Sequence, residues 1–192
     1  VILVDRWPQL GGVCLNVGCI PSKALLHAAR VIEEAESMSA NGIRFAKPEI
    51  DPQALKQWKN RIVGKLTAGL SVLAKQRKVN VIRGFARFVS PHRAEIRAED
   101  GSRKIIGFEH CIIAAGSEPA RIPGLPDDPR VLDSTSALDL RDVPRKLLVI
   151  GGGIIGLEMA CVYDGLGSEV SVVELTDTLM PGCDRDLVRP LE

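Results

Sequence analysis

Apolar and polar positions fall along this chain in blocks whose periods separate strands from helices. Residues 1–4 are an unbroken apolar run closed by Asp5, the pattern of a buried parallel strand. Residues 10–13 form a glycine-rich turn. Beyond it Pro21 suits a first helical turn, and Leu25, Leu26, Ala29, Ile32 and Ala35 recur near helical spacing until Asn41-Gly42 stops them. Asp51-Pro52 opens a second helix, with Ala54, Leu55, Trp58, Ile62, Leu66, Leu70 and Leu73 on one stripe that reads as core. Residues 79–82 make a short strand. Alternation over 86–108 folds back at Asp100-Gly101 as a hairpin. Residues 111–115 read as another buried strand, and 116–143, rich in Pro, Gly, Asp and Ser, as a connection between domains. Then come an apolar strand at 147–150, a glycine turn at 151–156, a helix to Leu166 and a strand at 170–174, which is half of a dinucleotide-binding unit. The chain begins with Val1 inside a strand-like run and stops at Glu192 without a closing signal, so both ends are expected to be cuts from a longer protein.

Composition changes this picture little. The 192 residues are 45% hydrophobic and 26% charged, as in an ordinary globular protein. A net charge of +1 gives no reason to expect nucleic acid or an anionic membrane as partner. No apolar run approaches the roughly 20 residues of a membrane span, and no cleavable leader is visible, so a cytoplasmic location is expected. Five cysteines are too few for a disulfide scaffold.

Two of those cysteines, Cys14 and Cys19, lie close together. Spacing alone leaves three readings open: two buried thiols, half of a zinc site, or a redox pair. Cys111, Cys161 and Cys183 are isolated, and His27 is the nearest imidazole. Cys111 and Cys161 sit among apolar neighbours and read as ordinary buried thiols. The surroundings of Cys14 and Cys19 favour redox chemistry. Cys19 stands just before the helix start at Ile20-Pro21, where the dipole and unpaired N–H groups favour a thiolate. Gly11, Gly12 and Gly18 allow a close approach to a flat ligand, and Lys23 adds a positive charge one turn along.

The second motif is Gly151-x-Gly153-x-x-Gly156, with Gly152, Ile154 and Ile155 between the glycines. It lies between a strand and a helix, the context it requires. Gly151 makes the tight turn, Gly153 lets the backbone approach a pyrophosphate, and Gly156 lets helix and strand pack closely. Glu174, about 20 residues on at the end of the next strand, can accept from adenosine ribose hydroxyls, and no arginine follows to hold a 2′-phosphate. NAD is therefore expected rather than NADP.

The run Gly11-Gly12-Val13-Cys14-Leu15-Asn16-Val17-Gly18-Cys19-Ile20-Pro21-Ser22-Lys23 resembles the redox-active signature of the class I pyridine nucleotide–disulfide oxidoreductases. The resemblance covers essentially the whole chain and leans to the lipoamide-oxidising branch over the glutathione and mercuric reductase branches. It implies an α/β fold of two Rossmann-like dinucleotide-binding domains, both incomplete here. These are a partial FAD domain at 1–142 and the first half of an NAD domain at 143–192. It implies that Cys14 exchanges with a dithiol, that Cys19 faces the flavin, and that Lys23 and Glu158 pair beside the flavin. It implies FAD contacts at Asp5 (ribose), at Gly11, Gly12, Val13 and Cys14 in the redox motif, at Ala86 (adenine), and at Ala115, Gly116 and Ser117. Ala115 stands where the family usually has Thr, and Asp5 where it more often has Glu. The implied partners are dihydrolipoamide on a lipoyl domain of a 2-oxoacid dehydrogenase complex and, for the whole protein, a second copy as homodimer. The family's acid–base His–Glu pair has no match in these residues, and no metal is implied. A catalytically incomplete dinucleotide-binding fragment remains the alternative. Its uncovered sheet edges predict poor solubility.

Overall fold

The computed structural model describes residues 1–192. In chain order the elements are β1 (Ile2–Asp5), α1 (Gly12–Val17), α2 (Cys19–Ser37), α3 (Pro52–Gln76), β2 (Asn80–Arg83), β3 (Phe85–Ser90), β4 (Arg93–Arg97), β5 (Arg103–Gly107), α4 (Ser134–Leu138), β6 (Lys146–Ile150), α5 (Ile154–Gly165), β7 (Glu169–Val173) and α6 (Arg185–Val188). They divide into two compact units, one of residues 1–16 and 63–118, the other of 17–62 and 119–192. No helix is long and apolar enough to cross a membrane.

In the first unit β1 pairs in parallel with β2, from Ile2 opposite Asn80 to Asp5 opposite Arg83. The Arg83 guanidinium donates to the carbonyls of Trp7 and Pro8, fastening the chain that leaves β1. The expected hairpin is present within an antiparallel sheet of order β3-β4-β5. Asp100 accepts the Ser102 N–H at 2.9 Å across the turn. Ala94 and Ile96 point to the buried face of this sheet. Residues 111–115 depart from expectation: they form no ladder, and Ile112 and Ile113 are 91% and 74% exposed. A strand exists only where a neighbour takes its N–H and C=O groups, and none lies beside this segment. For a related reason β1 is exposed at Ile2 and Leu3 and only half-buried at Val4 and Asp5, because a two-stranded sheet cannot cover both of its faces.

The second unit is organised by α5, which connects the parallel strands β6 and β7 (Lys146 opposite Glu169 through Ile150 opposite Val173) and packs along α2. Ser22 of α2 bonds Glu158 of α5 at 2.5 Å. Seven residues further along both helices, a Cβ on Gly165 would stand 2.7 Å from the Ala29 Cβ. The helices therefore run parallel, in contact over two turns. Leu25, Met159, Val162, Tyr163 and Leu166 fill the space beside this seam.

Two more core residues, Leu138 and Leu140, come from the segment expected to be a bare connection. That segment contains α4, started by a capping box in which Asp133 accepts the Ser136 N–H at 2.7 Å and Ser136 Oγ accepts the Asp133 N–H at 2.8 Å. Leu140 is fully buried although its φ is +48°, a conformation that costs a β-carbon residue about 1–2 kcal/mol. Burying a Leu side chain contributes about 1.5–3 kcal/mol, enough to hold it there.

The buried stripe of α3 is shifted from the expected one. Leu66 and Leu73 are 43% and 50% exposed, whereas Lys59, Val63 and Thr67 are buried. Both polar members have partners. The Lys59 ammonium donates to the Leu138 carbonyl at 2.7 Å, and Thr67 Oγ1 to that of Gly64 at 3.0 Å. Burial pushes the Lys59 pKa down, while Asp139 works to raise it. Cys111 and Cys161, read as buried, are both exposed.

The seam makes a test. Gly165→Ala drives a methyl into Ala29 and is expected to cost about 1–3 kcal/mol in urea denaturation. Ala29→Gly in the same chain should recover part of that loss, a coupling that independent sites do not show.

Candidate functional site

The redox motif spans three structural pieces. The 10–12 turn is tied to α1 by the Asn16 amide, which donates to the carbonyls of Leu10 at 3.2 Å and Gly12 at 3.0 Å. Cys14 lies exposed on α1, in the first unit. Gly18 then caps α2, and Cys19 is its first residue, exposed and in the second unit. The helix begins one residue earlier than expected, because the Ser22 N–H already bonds the Gly18 carbonyl at 3.0 Å. Cys19 thus sits among first-turn N–H groups that have no helical acceptor.

The other flavin-side candidates lie in the first unit. Asp5 ends β1 and accepts the Trp7 N–H at 3.0 Å. Ala86 sits on β3 opposite Ile96. Ala115, Gly116 and Ser117 are exposed, and Gly116 adopts φ +74° with Val13 beside it, a Cβ there falling 3.5 Å from Val13 Cγ2. Gly12 has nothing within 4 Å of its Cβ position. The backbone at Gly12 is therefore open to a ligand, and that at Gly116 to one that tolerates Val13.

In the second unit Lys23 and Glu158, 135 residues apart, form an ion pair. The carboxylate takes Lys23 Nζ on Oε1 and the buried Ser22 Oγ on Oε2 at 2.5 Å. Burial by itself raises the Glu158 pKa. The hydrogen bonds from Lys23 and Ser22, with the Lys23 charge, outweigh it and hold the carboxyl below its ordinary value. Ser22, 4% exposed, was not among the candidate residues. Its only sequence signal is its place next to Lys23.

The glycine turn follows β6. Gly151 has φ +113°, and Gly153 caps α5 with nothing within 4 Å of its Cβ position. A Cβ at Gly156 would collide with the Gly151 carbonyl oxygen, so a side chain here would push helix and turn apart. Gly152 is enclosed, its Cβ position 2.5 Å from Leu179 Cδ2. Ile154 and Ile155 are exposed at the helix start. Glu174 folds back over the turn and accepts the Gly152 N–H on Oε2 at 2.7 Å. The Thr176 N–H and Oγ1 reach Oε1 at 2.9 and 3.0 Å. Hydrogen bonds from the Thr176 and Gly152 N–H groups hold the Glu174 carboxyl below its ordinary pKa. An open backbone cradle, a helix N-terminus and a fixed acid suit a dinucleotide's pyrophosphate and ribose. No group of three or more His, Cys, Asp or Glu side chains is arranged to hold a metal ion.

The family model described as pyridine nucleotide-disulphide oxidoreductase matches residues 1–192. The chain belongs to this family. Among curated relatives, a dihydrolipoyl dehydrogenase of Vibrio cholerae is 51% identical over 189 residues, covering 98% of this chain and 40% of that protein. One from Haemophilus influenzae is 53% identical over 188 residues, covering 97% and 39%. Among solved structures, LpdA from Mycobacterium tuberculosis superposes with a TM-score of 0.87 at 26% identity, covering all of this chain and 42% of that one. The chain thus spans about 40% of the length of the curated relatives it matches. Its α/β architecture of small, partial sheets is that of the family's FAD/NAD(P)-binding fold.

For Glu158, whose folded pKa lies below its unfolded one, the stabilising contribution is present above about pH 4.3 and is lost as pH falls through the folded value. Ser22→Ala is expected to destabilise the fold by about 1–3 kcal/mol at neutral pH by leaving Glu158 short of a donor. The gap to the unaltered protein should narrow on acidification. Urea midpoints measured between neutral and acid pH check both statements.

Proposed function

We propose that this chain carries the redox-active and dinucleotide-binding part of an FAD-dependent dihydrolipoyl dehydrogenase, which oxidises protein-bound dihydrolipoamide and reduces NAD+. The observation that supports it best is the Ser22–Lys23–Glu158 cluster, where the helix opened by Cys19 meets the helix opened by the glycine turn. The names of these relatives favour the lipoamide branch over the glutathione and mercuric reductase branches. In this reading residues 1–142 serve FAD and residues 143–192 begin the Rossmann-like NAD domain. The lipoyl domain of a 2-oxoacid dehydrogenase complex would deliver the substrate to a cytoplasmic homodimer.

The chain's own residues divide the chemistry. A substrate thiolate attacks Cys14 Sγ in the oxidised pair, the Cys14–Cys19 bond breaks, and Cys19 leaves as a thiolate. The second substrate thiolate then attacks its own sulfur in the mixed disulfide, releasing cyclic lipoamide and leaving Cys14 reduced. Two electrons have passed to the cysteine pair. FAD, when bound, would supply the acceptor for them, with NAD+ as the final hydride acceptor. Asp5, Gly11, Gly12, Val13, Cys14, Lys23, Ala86, Ala115, Gly116 and Ser117 would hold FAD. The turn formed by Gly151, Gly152, Gly153, Ile154, Ile155 and Gly156, with Glu174, would hold NAD. The Lys23 ammonium, kept in place by Glu158, would stabilise negative charge developing beside it.

The test is the visible spectrum of the intact flavin-loaded protein on addition of dihydrolipoamide, with NADH formation followed in parallel. The expected result is a long-wavelength band together with NADH, both lost in Cys19→Ser. A flavoprotein that ignores dihydrolipoamide but reduces another disulfide or mercuric ion with NAD(P)H moves the reading to a sister branch. A protein that retains no flavin overturns it.

A further inference from the structure

Glu174 has three flexible side-chain torsions and stands at the end of β7, where chain and solvent leave it free to turn. It is nevertheless fixed at both oxygens. Gly152 holds Oε2, and Thr176 holds Oε1 twice, through its N–H at 2.9 Å and its hydroxyl at 3.0 Å. The backbone N–H would be present whatever residue stood at 176. The hydroxyl is the part this residue type adds. The hydroxyl oxygen, with one proton to give, also lies 2.9 Å from the Thr178 carbonyl oxygen, and the charged carboxylate is the stronger acceptor of the two. A β-branched side chain loses little χ1 freedom in making the bond.

Three of about four acceptor sites on the carboxylate are thus filled by the protein. What remains is one acceptor site on a carboxylate held in one orientation. A ribose 2′-hydroxyl can donate to it. A 2′-phosphate can only repel it, and the loop offers no relief: from Leu175 to Cys183 it contains no Lys, Arg or His, and Asp177 adds a further negative charge.

We propose that Thr176 is a positioning residue for the nicotinamide dinucleotide: its hydroxyl locks the Glu174 carboxylate toward the adenosine ribose and so sets the preference for NAD over its 2′-phosphorylated form. This rests on the proposed dinucleotide site. Nothing in the glycine motif identifies Thr176, since its side chain acts on the acid and not on the ligand.

The test compares Thr176→Val, which keeps the branch and the backbone N–H but removes the hydroxyl, with Thr176→Ser, which restores the hydroxyl. Direct binding of NAD+, NADP+ and ADP-ribose to the intact flavin-loaded protein is measured by calorimetry, alongside steady-state kinetics. Loss of one hydrogen bond to a charged acceptor is expected to weaken NAD+ and ADP-ribose by about 10-fold. NADP+ should be little changed, so discrimination narrows by a similar factor. KM for NAD+ should rise more than kcat falls, and Thr176→Ser should recover most of the affinity. Unchanged NAD+ affinity in Thr176→Val, or an equal loss for both dinucleotides with a lowered melting temperature, overturns the proposal. Glu174→Gln separates the two layers. If it weakens NAD+ while Thr176→Val does not, the acid's role stands and the inference about Thr176 fails. If the unaltered protein binds neither dinucleotide, the proposed site itself fails and this inference with it.

Discussion

The close parallel approach of α2 and α5 is the constraint on which the rest of the second unit depends. Gly165 is what allows it, because a methyl group there would meet Ala29 at well under contact distance. Only at that separation can a side chain as short as Ser22 span to Glu158 at the other end of the seam. Parallel packing also puts both helix N-termini at the same end. Cys19 opens one helix and the 151–153 turn precedes the other, so two motifs more than 130 residues apart in sequence are fixed at one end of a single packed pair. A shift of one helix along the other would break the carboxylate's contacts before it exposed much apolar surface. The polar cluster thus sets the register, while Leu25, Val162 and Tyr163 supply the burial.

The elements legible in the sequence were those specified by their own residues. The Asp100-Gly101 hairpin, the Asp51-Pro52 helix start and the strand–glycine–helix order at 147–166 each carry local turn or cap chemistry, and each appears in the structure. What was not legible depends on distant partners. Lys59 looks like a surface residue until the Leu138 carbonyl, 79 positions away, is beside it. Leu140 lies in a stretch whose composition suggests a loop, and only the core formed by α2 and α5 makes its burial worth a left-handed backbone. Residues 111–115 show the converse. Their composition is that of a strand, but strand formation is a property of a pair. The candidate site divides in the same way: Lys23 and Glu158 stand within recognisable motifs, whereas Ser22 and Thr176 act on those motifs' carboxylates and leave no pattern of their own.

Buried polar groups around α4 place that short helix more narrowly than apolar contacts would. A five-residue helix leaves its last carbonyls without helical donors. The Tyr163 hydroxyl takes the carbonyl of Ala137 at 2.8 Å, and the Lys59 ammonium takes that of Leu138. Burial first, then the charges of Asp142 and Asp139, push the Tyr163 pKa up to about 12, so the hydroxyl remains a donor throughout the physiological range. Losing Lys59 would leave the buried Leu138 carbonyl unpaired, a larger penalty than the net value of the bond itself, whereas the Ala137 carbonyl also accepts the Leu140 N–H at 3.2 Å. These two contacts join α3 and α5 to the segment that leads into β6, and thereby to the start of the glycine turn.

The two candidate carboxylates are held in different ways, and the difference would fit the different tasks proposed for them. Glu174 is gripped by two backbone N–H groups and a hydroxyl, which are neutral donors fixed by the chain. Such donors cannot follow a moving charge, so they suit recognition of a ligand whose hydroxyl always arrives in the same place. Glu158 is held on one side by the buried Ser22 hydroxyl and on the other by Lys23, whose side chain is more than half exposed on a flexible stem. Ser22 fixes where one oxygen of the carboxylate sits, and the other oxygen balances the Lys23 charge. A fully buried ammonium would tend to lose its proton. A fully exposed pair would be screened to little effect. A half-exposed ion pair anchored by a buried hydroxyl would suit the charge-stabilising role proposed for Lys23.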